Sequence, residues 1–452
     1  MPPVLHLIKE DIDTAEQRAH YTVGLIGGGQ KAIFAAMAFA DAGFRVKITD
    51  ADQSVTRRLS KGIFKLGNRE AEVKLKSFVR TEQIAASSDL KGVVVASDIL
   101  VLAVDAKIDD KKAVNYSEVT SICKQIGASL SRGSTVIYAG VGGFGFTEDV
   151  VKENLENTSG LKAGDDFGLA YSPFLEHTSR KQTGNESSIE IVVAANDKFS
   201  LSSAALISET LTKQNVRRTM GIRTAELATI FNAVKRDSNT ALANEFATFC
   251  ETAKVDYAEV LQLMENNAQV SSLPTISGET NSTEAYMLLE NAENLNTKLK
   301  LPAIARQVNE DMIKHAVNLT QDAMRSGGKT LRRARIALLG APLELNPSHS
   351  EFIMMLEAKG AKVINYSPNG ADAGQTEETS SFKKTLNEAA EGTDCVVVIS
   401  EQEQFKRLNL KKLRALMKSP AAFVDLTDQF DPAKVEEAGF TYRGLGRGVW
   451  KK

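Results

Sequence analysis

The sequence predicts an α/β protein made of two doubly wound domains joined by a long central helical segment. Three observations carry that prediction. Short apolar runs alternate with helix-forming stretches up to about residue 205, and the same alternation returns after Arg335. Between them, residues 224–254 contain neither Pro nor Gly and space their apolar side chains three and four apart, which reads as one long helix.

The first apolar run, 22–27, leads into Gly27-Gly28-Gly29 and then a small-residue helix expected over 32–42. Asp50 follows about twenty residues downstream, at the end of a second apolar run over 45–49. Strand, tight turn, helix, strand and acid in that order form the fingerprint of a dinucleotide-binding βαβ unit in a Rossmann-like domain. Gly27 lets the chain turn sharply, and Gly29 lets a pyrophosphate approach the backbone amides at the helix N-terminus. Small Ala32 brings the helix close to the strand, and Asp50 is placed to accept from a ribose hydroxyl. Gly27, Gly28, Gly29, Ala32 and Asp50 are therefore the candidate cofactor-binding residues. The alternative, in which the glycines build a turn and nothing more, stays open at this level.

Further strands are expected at 92–95, 99–104, 135–139, 168–171 and 189–194, with helices such as 117–130 between them. That order argues for a mainly parallel sheet covered on both faces. Residues 206–325 change character: the long helix is followed by a second at 303–325, after Pro302, giving a spacer and a surface for dimerisation. The second α/β section carries strands at 336–339, 363–366, 395–399 and 423–425, a helix at 350–359 and a Ser/Thr/Glu-rich loop at 370–381. The expected domains are thus 1–205, 206–325 and 326–452.

Composition narrows the function classes. The 452 residues, 42% hydrophobic and 25% charged, suit a soluble protein of two or three domains. Basic and acidic residues nearly cancel, 55 against 57, so nothing argues for nucleic acid or an anionic membrane as partner. The basic run at 329–335 directly precedes a strand and reads as a solvated linker. Cys123, Cys250 and Cys395 show no CxxC spacing, which speaks against a disulfide framework or a structural zinc; buried thiols are expected. The five histidines, His177 and His349 among them, lack HxH and HExxH spacing, so no metal is expected. Residues 1–10 lack the pattern of a secretory signal and no apolar run approaches a bilayer span, which leads us to expect a cytoplasmic protein.

Several motifs carry a resemblance. They are the glycine turn with Asp50, the run Gly-Leu-Lys-Ala-Gly-Asp-Asp-Phe-Gly-Leu-Ala-Tyr-Ser-Pro at 160–173, and Arg236-Asp237-Ser238-Asn239-Thr240-Ala241-Leu242-Ala243-Asn244-Glu245. Near the C-terminus stand Asp-Cys-Val-Val-Val at 394–398, Glu403-Gln404-Phe405 and Gly-Phe-Thr-Tyr-Arg-Gly-Leu-Gly-Arg-Gly at 439–448. In this order they resemble the UDP-glucose/GDP-mannose dehydrogenase family, nearest its UDP-N-acetylmannosamine dehydrogenase branch, over most of the chain. The resemblance implies an N-terminal NAD domain, a helical dimer core, a C-terminal domain that helps bind a UDP-sugar, and oxidation of a 6-hydroxymethyl to a carboxylate with two NAD+. That chemistry uses a cysteine thiolate to trap an aldehyde, and a lysine and an asparagine to steady an oxyanion and a water.

The sequence departs from the family at those positions. Thr280 falls where the cysteine aligns, and Thr229 and Ala233 fall at the lysine and the asparagine. Asn232 and Lys235 are neighbours, but one residue turns a helix by about 100°, so they point elsewhere. Phe174 replaces the glutamate after Ser172-Pro173, and Glu176 fills that role only if the loop is realigned. The stretch 341–350 carries no basic residue for a diphosphate, and Thr427 stands where an arginine is expected. Residues 140–145, Gly-Val-Gly-Gly-Phe-Gly, replace a Ser-Thr-Val and Pro-Gly element and read either as a second phosphate cradle or as a flexible loop beside the cofactor pocket. Glu284, beside Tyr286, reads as a solvated carboxylate or as a prop for the loop before it, and Ser172 lacks a nucleophile-elbow setting. The resemblance thus leaves no catalytic residue to name. It leaves two functions: an NAD-dependent oxidoreductase with altered catalysis, or a non-catalytic sensor, regulator or assembly partner on the same fold.

Overall fold

A computed structural model describes residues 5–66, 69–109, 111–175, 191–212, 215–264, 274–276, 282–340, 347–368, 382–402 and 404–448. The chain divides into two compact units, Met1–Asn232 with Tyr286–Thr297, and Ala233–Ala285 with Lys298–Lys452. Among the described residues no helix is long and apolar enough to cross a membrane.

Among the described residues the first unit has ten strands: β1 (Thr22–Ile26), β2 (Arg45–Thr49), β3 (Ile84–Ala86), β4 (Ile99–Leu102), β5 (Lys107–Ile108), β6 (Val114–Asn115), β7 (Thr135–Tyr138), β8 (Gly168–Tyr171), β9 (Ile191–Ala195) and β10 (Val216–Met220). Eight of them form one sheet in the order β10-β9-β8-β7-β4-β1-β2-β3, while β5 and β6 make a small hairpin. All neighbours in the large sheet are parallel except β8 and β9. The order reverses at β1, so β1 and β4 flank the switch point where ligands of such sheets sit. Helix Gln30–Asp41 buries every residue from Ala32 to Ala40, because it is sandwiched rather than laid on a surface. Its Phe39 meets the edges of Phe44 and Phe174 at 5.7 and 5.8 Å.

The second unit holds a five-stranded, all-parallel sheet of β11 (Arg335–Leu339), β12 (Lys362–Tyr366), β13 (Cys395–Val398), β14 (Ala421–Asp425) and β15 (Phe440–Gly444), ordered β12-β11-β13-β14-β15. Both doubly wound sheets and the long helix, Ile222–Ala253, therefore stand as the periodicity predicted. Helix Lys300–Ser326 takes Pro302 in its first turn, where no amide is missed.

One element is corrected. Residues 92–95, expected as a strand, lie in helix Leu90–Val95. The Asp89 carboxylate accepts from the Gly92 N–H at 3.0 Å, and that cap starts a helix in spite of the β-branched Val93-Val94-Val95 run. Strands β3, β5, β6, β10 and β15 have no counterpart in the expected set. The expected loop at 370–381 lies outside the described residues.

Candidate cofactor site

At the end of β1 the chain turns at Gly27, whose φ is +124° and where a Cβ would stand 2.6 Å from the Ala103 carbonyl oxygen. Glycine is required there on both counts. At Gly28 a Cβ would press on Val55 and on the Asp50 carboxylate, 2.6 and 2.9 Å away. Gly29 is different: it is the N-cap of helix Gln30–Asp41, has ordinary extended backbone and faces open space within 4 Å. No side chain caps that helix, so its leading amides, at the positive end of the helix dipole, stay accessible to an anion. Ala32 is buried against the sheet.

Asp50 sits just past β2. Its two carboxylate oxygens accept from Gly28 N–H at 2.6 Å and from Asp52 N–H at 2.7 Å. Each oxygen keeps a lone pair for a further donor. The structure places Gly27, Gly28 and Asp50 together, with Gly29 capping the adjoining helix and Ala32 in its first turn. A cleft of about 280 Å³ opens there, walled by Gly27, Thr49, Asp50 and Gln53 on one side and by Val104, Glu118, Ile122 and Gln125 on the other. The wall from helix Ser117–Gly127 gives no motif in the sequence; only the fold brings it to the turn.

The second glycine loop is not a free cradle. Val141 N–H donates to Asp105 at 2.8 Å, Phe144 N–H to Asn291 at 3.0 Å, and Gly145 and Thr147 N–H to the two oxygens of Glu226 at 2.7 and 2.8 Å. An anion placed here would meet carboxylates already holding the amides, so this segment is a loop beside the cofactor cleft. Glu226 is 2% exposed, and burial pushes its carboxyl up to about 7, with Glu148 adding to the rise. No motif in the sequence singles it out.

The positions where catalytic groups would align carry little polarity. Phe174 is buried in the core against Phe39. The Thr229 hydroxyl donates to its own helix at the Ala225 carbonyl, 3.0 Å away, and Ala233 is buried. Asn232 and Lys235 are exposed, off the face that buries Ala233. The Thr427 hydroxyl donates to Asp425 at 2.7 Å, and the nearby Arg447 is paired with Asp256 and Asp428. Ser172 donates to the Val192 carbonyl at 2.9 Å. Thr280, Glu176, His177 and residues 341–346 lie outside the described residues. All three cysteines are buried; burial pushes the Cys123 thiol up to about 12 and raises those of Cys250 and Cys395 as well. Buried His349 is pushed down to about 4 by the same cause. Among the described residues no three His, Cys, Asp or Glu side chains stand together as a metal site.

A glycine turn at the switch point of a doubly wound sheet, an uncapped helix N-terminus and an acid closing the next strand define a dinucleotide-binding α/β protein. Three sequence models of one family match this chain in succession: its NAD binding domain over residues 21–212, its central domain over 223–311 and its UDP binding domain over 348–432. The chain belongs to the UDP-glucose/GDP-mannose dehydrogenase family. The cofactor is NAD, and the open amides, the cleft and Asp50 fit it. The chain is 25% identical over 442 residues to UDP-N-acetyl-D-mannosamine dehydrogenase of Pyrococcus horikoshii, covering 94% of this chain and 99% of that one. It is 25% identical over 447 residues to UDP-glucose 6-dehydrogenase of Rhizobium meliloti, with coverage of 94% and 99%. Among solved structures, the UDP-D-ManNAc dehydrogenase from Pyrococcus horikoshii superposes with a TM-score of 0.81 at 22% identity, over 94% of this chain and 99% of that one. An NDP-N-acetyl-D-galactosaminuronic acid dehydrogenase from Methanosarcina mazei Go1 gives 0.71 at 22% identity, over 96% and 98%. Those structural likenesses bear on the fold.

Proposed function

We propose that this chain binds NAD and a UDP-sugar of the N-acetylmannosamine type, as an oxidoreductase-family protein that does not complete the four-electron oxidation to a carboxylate. The carrying observation is the chemistry at three aligned positions. Phe174 and Ala233 are buried and apolar, and the Thr229 hydroxyl is engaged by its own helix. None of them presents a cation, an amide or a carboxylate to an oxyanion or a water. The nucleophile is wanting too, since Thr280 replaces the aligned cysteine and the three cysteines present are buried with raised thiols.

Bound NAD supplies a hydride acceptor. The chain's own part is to bind and orient: the amides after Gly29 take the pyrophosphate, Gly27 and Gly28 shape the turn that presents them, Ala32 seats the helix, and Asp50 takes the ribose hydroxyls. We assign cofactor binding to 1–205, a helical dimer core to 206–325 and nucleotide-sugar binding to 326–452, in a cytoplasmic homodimer. The exposed Phe231, Phe246 and Phe249 of the long helix support the dimer. A second reading, a non-catalytic NAD or nucleotide-sugar sensor, regulator or assembly partner, is favoured by the same apolar positions, which leave no acid or base there.

The test is calorimetric titration of the purified protein with NAD+, NADH and UDP-N-acetylmannosamine, followed by an assay for NADH production. Binding without turnover supports the second reading, and turnover that stops at the aldehyde supports a two-electron enzyme. Oxidation through to the uronate would overturn the alignment at Thr229, Ala233 and Thr280.

A further inference from the structure

The loop over residues 140–147 touches the cofactor cleft by two routes. Gly140 packs so tightly on Val104, a cleft wall, that a Cβ there would stand 2.4 Å from the Val104 carbonyl oxygen. Ala106 N–H donates to the Val141 carbonyl at 2.9 Å, and Val141 N–H returns the bond to Asp105. At the other end Phe146 stacks on Tyr116, with ring centroids 5.1 Å apart, and Tyr116 precedes the helix whose Glu118, Ile122 and Gln125 wall the cleft. Glu226 holds the residues on either side of Phe146, accepting from Gly145 and Thr147.

We propose that Glu226 is a positioning residue for the dinucleotide cleft: it fixes the 140–147 loop against the cleft wall opposite Asp50, at Val104 and at the helix Ser117–Gly127, and NAD affinity depends on it although it does not line the cleft. The inference rests on the NAD-binding reading and adds a determinant outside the glycine turn. A single carboxylate serving two backbone amides needs both oxygens as acceptors. A proton on either oxygen turns it into a donor facing an N–H, and the clamp loses one of its two bonds.

The groups facing this carboxylate are few. Glu148, on the π-helical turn Thr147–Lys152, raises its proton affinity and is itself paired with Arg223, one turn back on the long helix. Tyr138 of β7 is buried, and its own proton is held well above the ordinary tyrosine range, chiefly by burial, so it stays neutral. Asp149, the other acid on that turn, is also paired with Arg223. The two amide bonds favour the ionised carboxylate, so within the folded state the clamp tightens as pH rises through about 7 and loosens as pH falls, even though burial makes the ionised form the costlier one for the fold as a whole.

The experiment uses the full chain, its Glu226→Gln and its Asn291→Ala variants. NAD+ binding is measured by calorimetry at pH 6, 7 and 8, and amide hydrogen exchange over 140–147 is followed by mass spectrometry without NAD. The wild type should bind more weakly at pH 6 than at pH 8. E226Q should bind roughly tenfold more weakly at pH 8, the scale of one lost buried hydrogen bond, with a flat pH profile and faster exchange in the loop. N291A releases Phe144 alone, so it should loosen exchange there and keep the wild-type pH dependence. E226Q with wild-type affinity, profile and exchange overturns the inference, as does a wild type that binds NAD with no pH dependence. A wild type that binds no NAD overturns the binding reading instead, and the exchange comparison still decides whether Glu226 holds the loop.

Discussion

At the scale of the residue, the turn after β1 separates glycines that the surrounding packing requires from Gly29, which packing leaves free. Gly27→Ala would put a side chain into a φ of +124° and into the Ala103 carbonyl. We expect a loss of roughly 2–4 kcal/mol, seen as a lower calorimetric midpoint, with NAD binding lost alongside. Gly29→Ser meets open space, and its hydroxyl can cap the helix. Stability should rise by about a few tenths of a kcal/mol while NAD affinity falls, because the new oxygen occupies the amides we propose for the pyrophosphate. If G29S left NAD affinity intact, the helix N-terminus would not be the pyrophosphate site. Glu226 makes a third case, through pH. Burial raises its folded value from 4.5 to about 7, so its contribution to stability is fully present below about 4.5 and is lost as pH rises through about 7. The scale is up to about 3 kcal/mol. E226Q should therefore gain less on acidification from pH 7 to 4.5 than the wild type does, in thermal melts across that range. The turn and its neighbour Asp50 were legible because a tight turn demands glycine and the acid closes the very next strand, a local pattern. Glu226 was not, because its role comes from amides about eighty residues away in sequence that only the fold brings to it.

At the scale of the element, a buried polar chain ties the two long helices of the central segment. Arg306 pairs with Asp237 at 2.7 Å, Asn309 donates to the same carboxylate at 2.9 Å, Asn244 donates to Asn309 at 2.9 Å, and Thr275 N–H donates to Asn244 at 2.9 Å. Asp237 and Asn244 belong to the run that carries the family resemblance, and the structure gives both a structural task. Asp237→Ala leaves the Arg306 guanidinium buried without its carboxylate, and we expect a cost of about 3–5 kcal/mol in urea denaturation. Replacing Arg306 by Met in the same chain should recover most of it, since an apolar pair carries no desolvation penalty; no recovery would mean the pair is not the source of the loss. Helices were legible here from period alone, while the strands were less so. The Val93–Val95 run looks like a strand and becomes a helix because Asp89 caps it. Strand β10 was missed because an edge position lets Arg217 and Arg218 face solvent, which erases the apolar signal of a core strand.

At the scale of the whole molecule, the long helix leaves Phe231, Phe246 and Phe249 at 54%, 40% and 72% exposure. Phe231 and Phe249 are eighteen residues apart, five turns at about 3.6 residues per turn, so they share one face. Three exposed phenylalanines on one helix are unusual for a surface that meets only water. Phe249→Glu should shift sedimentation from dimer to monomer without unfolding the chain; a wild type that sediments as a monomer would remove the dimer from the proposal. The sequence by itself determined the alternation of elements, the two doubly wound sheets, the glycine turn with its acid, and the family. Each of these is a local pattern, fixed by the period of a helix or strand, by the space a turn allows, or by order along the chain. Tertiary structure alone decided which side chains wall the cleft opposite Asp50, that the second glycine loop has its amides engaged by Glu226, Asn291 and Asp105, and that Phe174 and Ala233 are buried. Those facts depend on residues far apart in sequence meeting in a close-packed interior, where a polar group must find a partner and an apolar one excludes water.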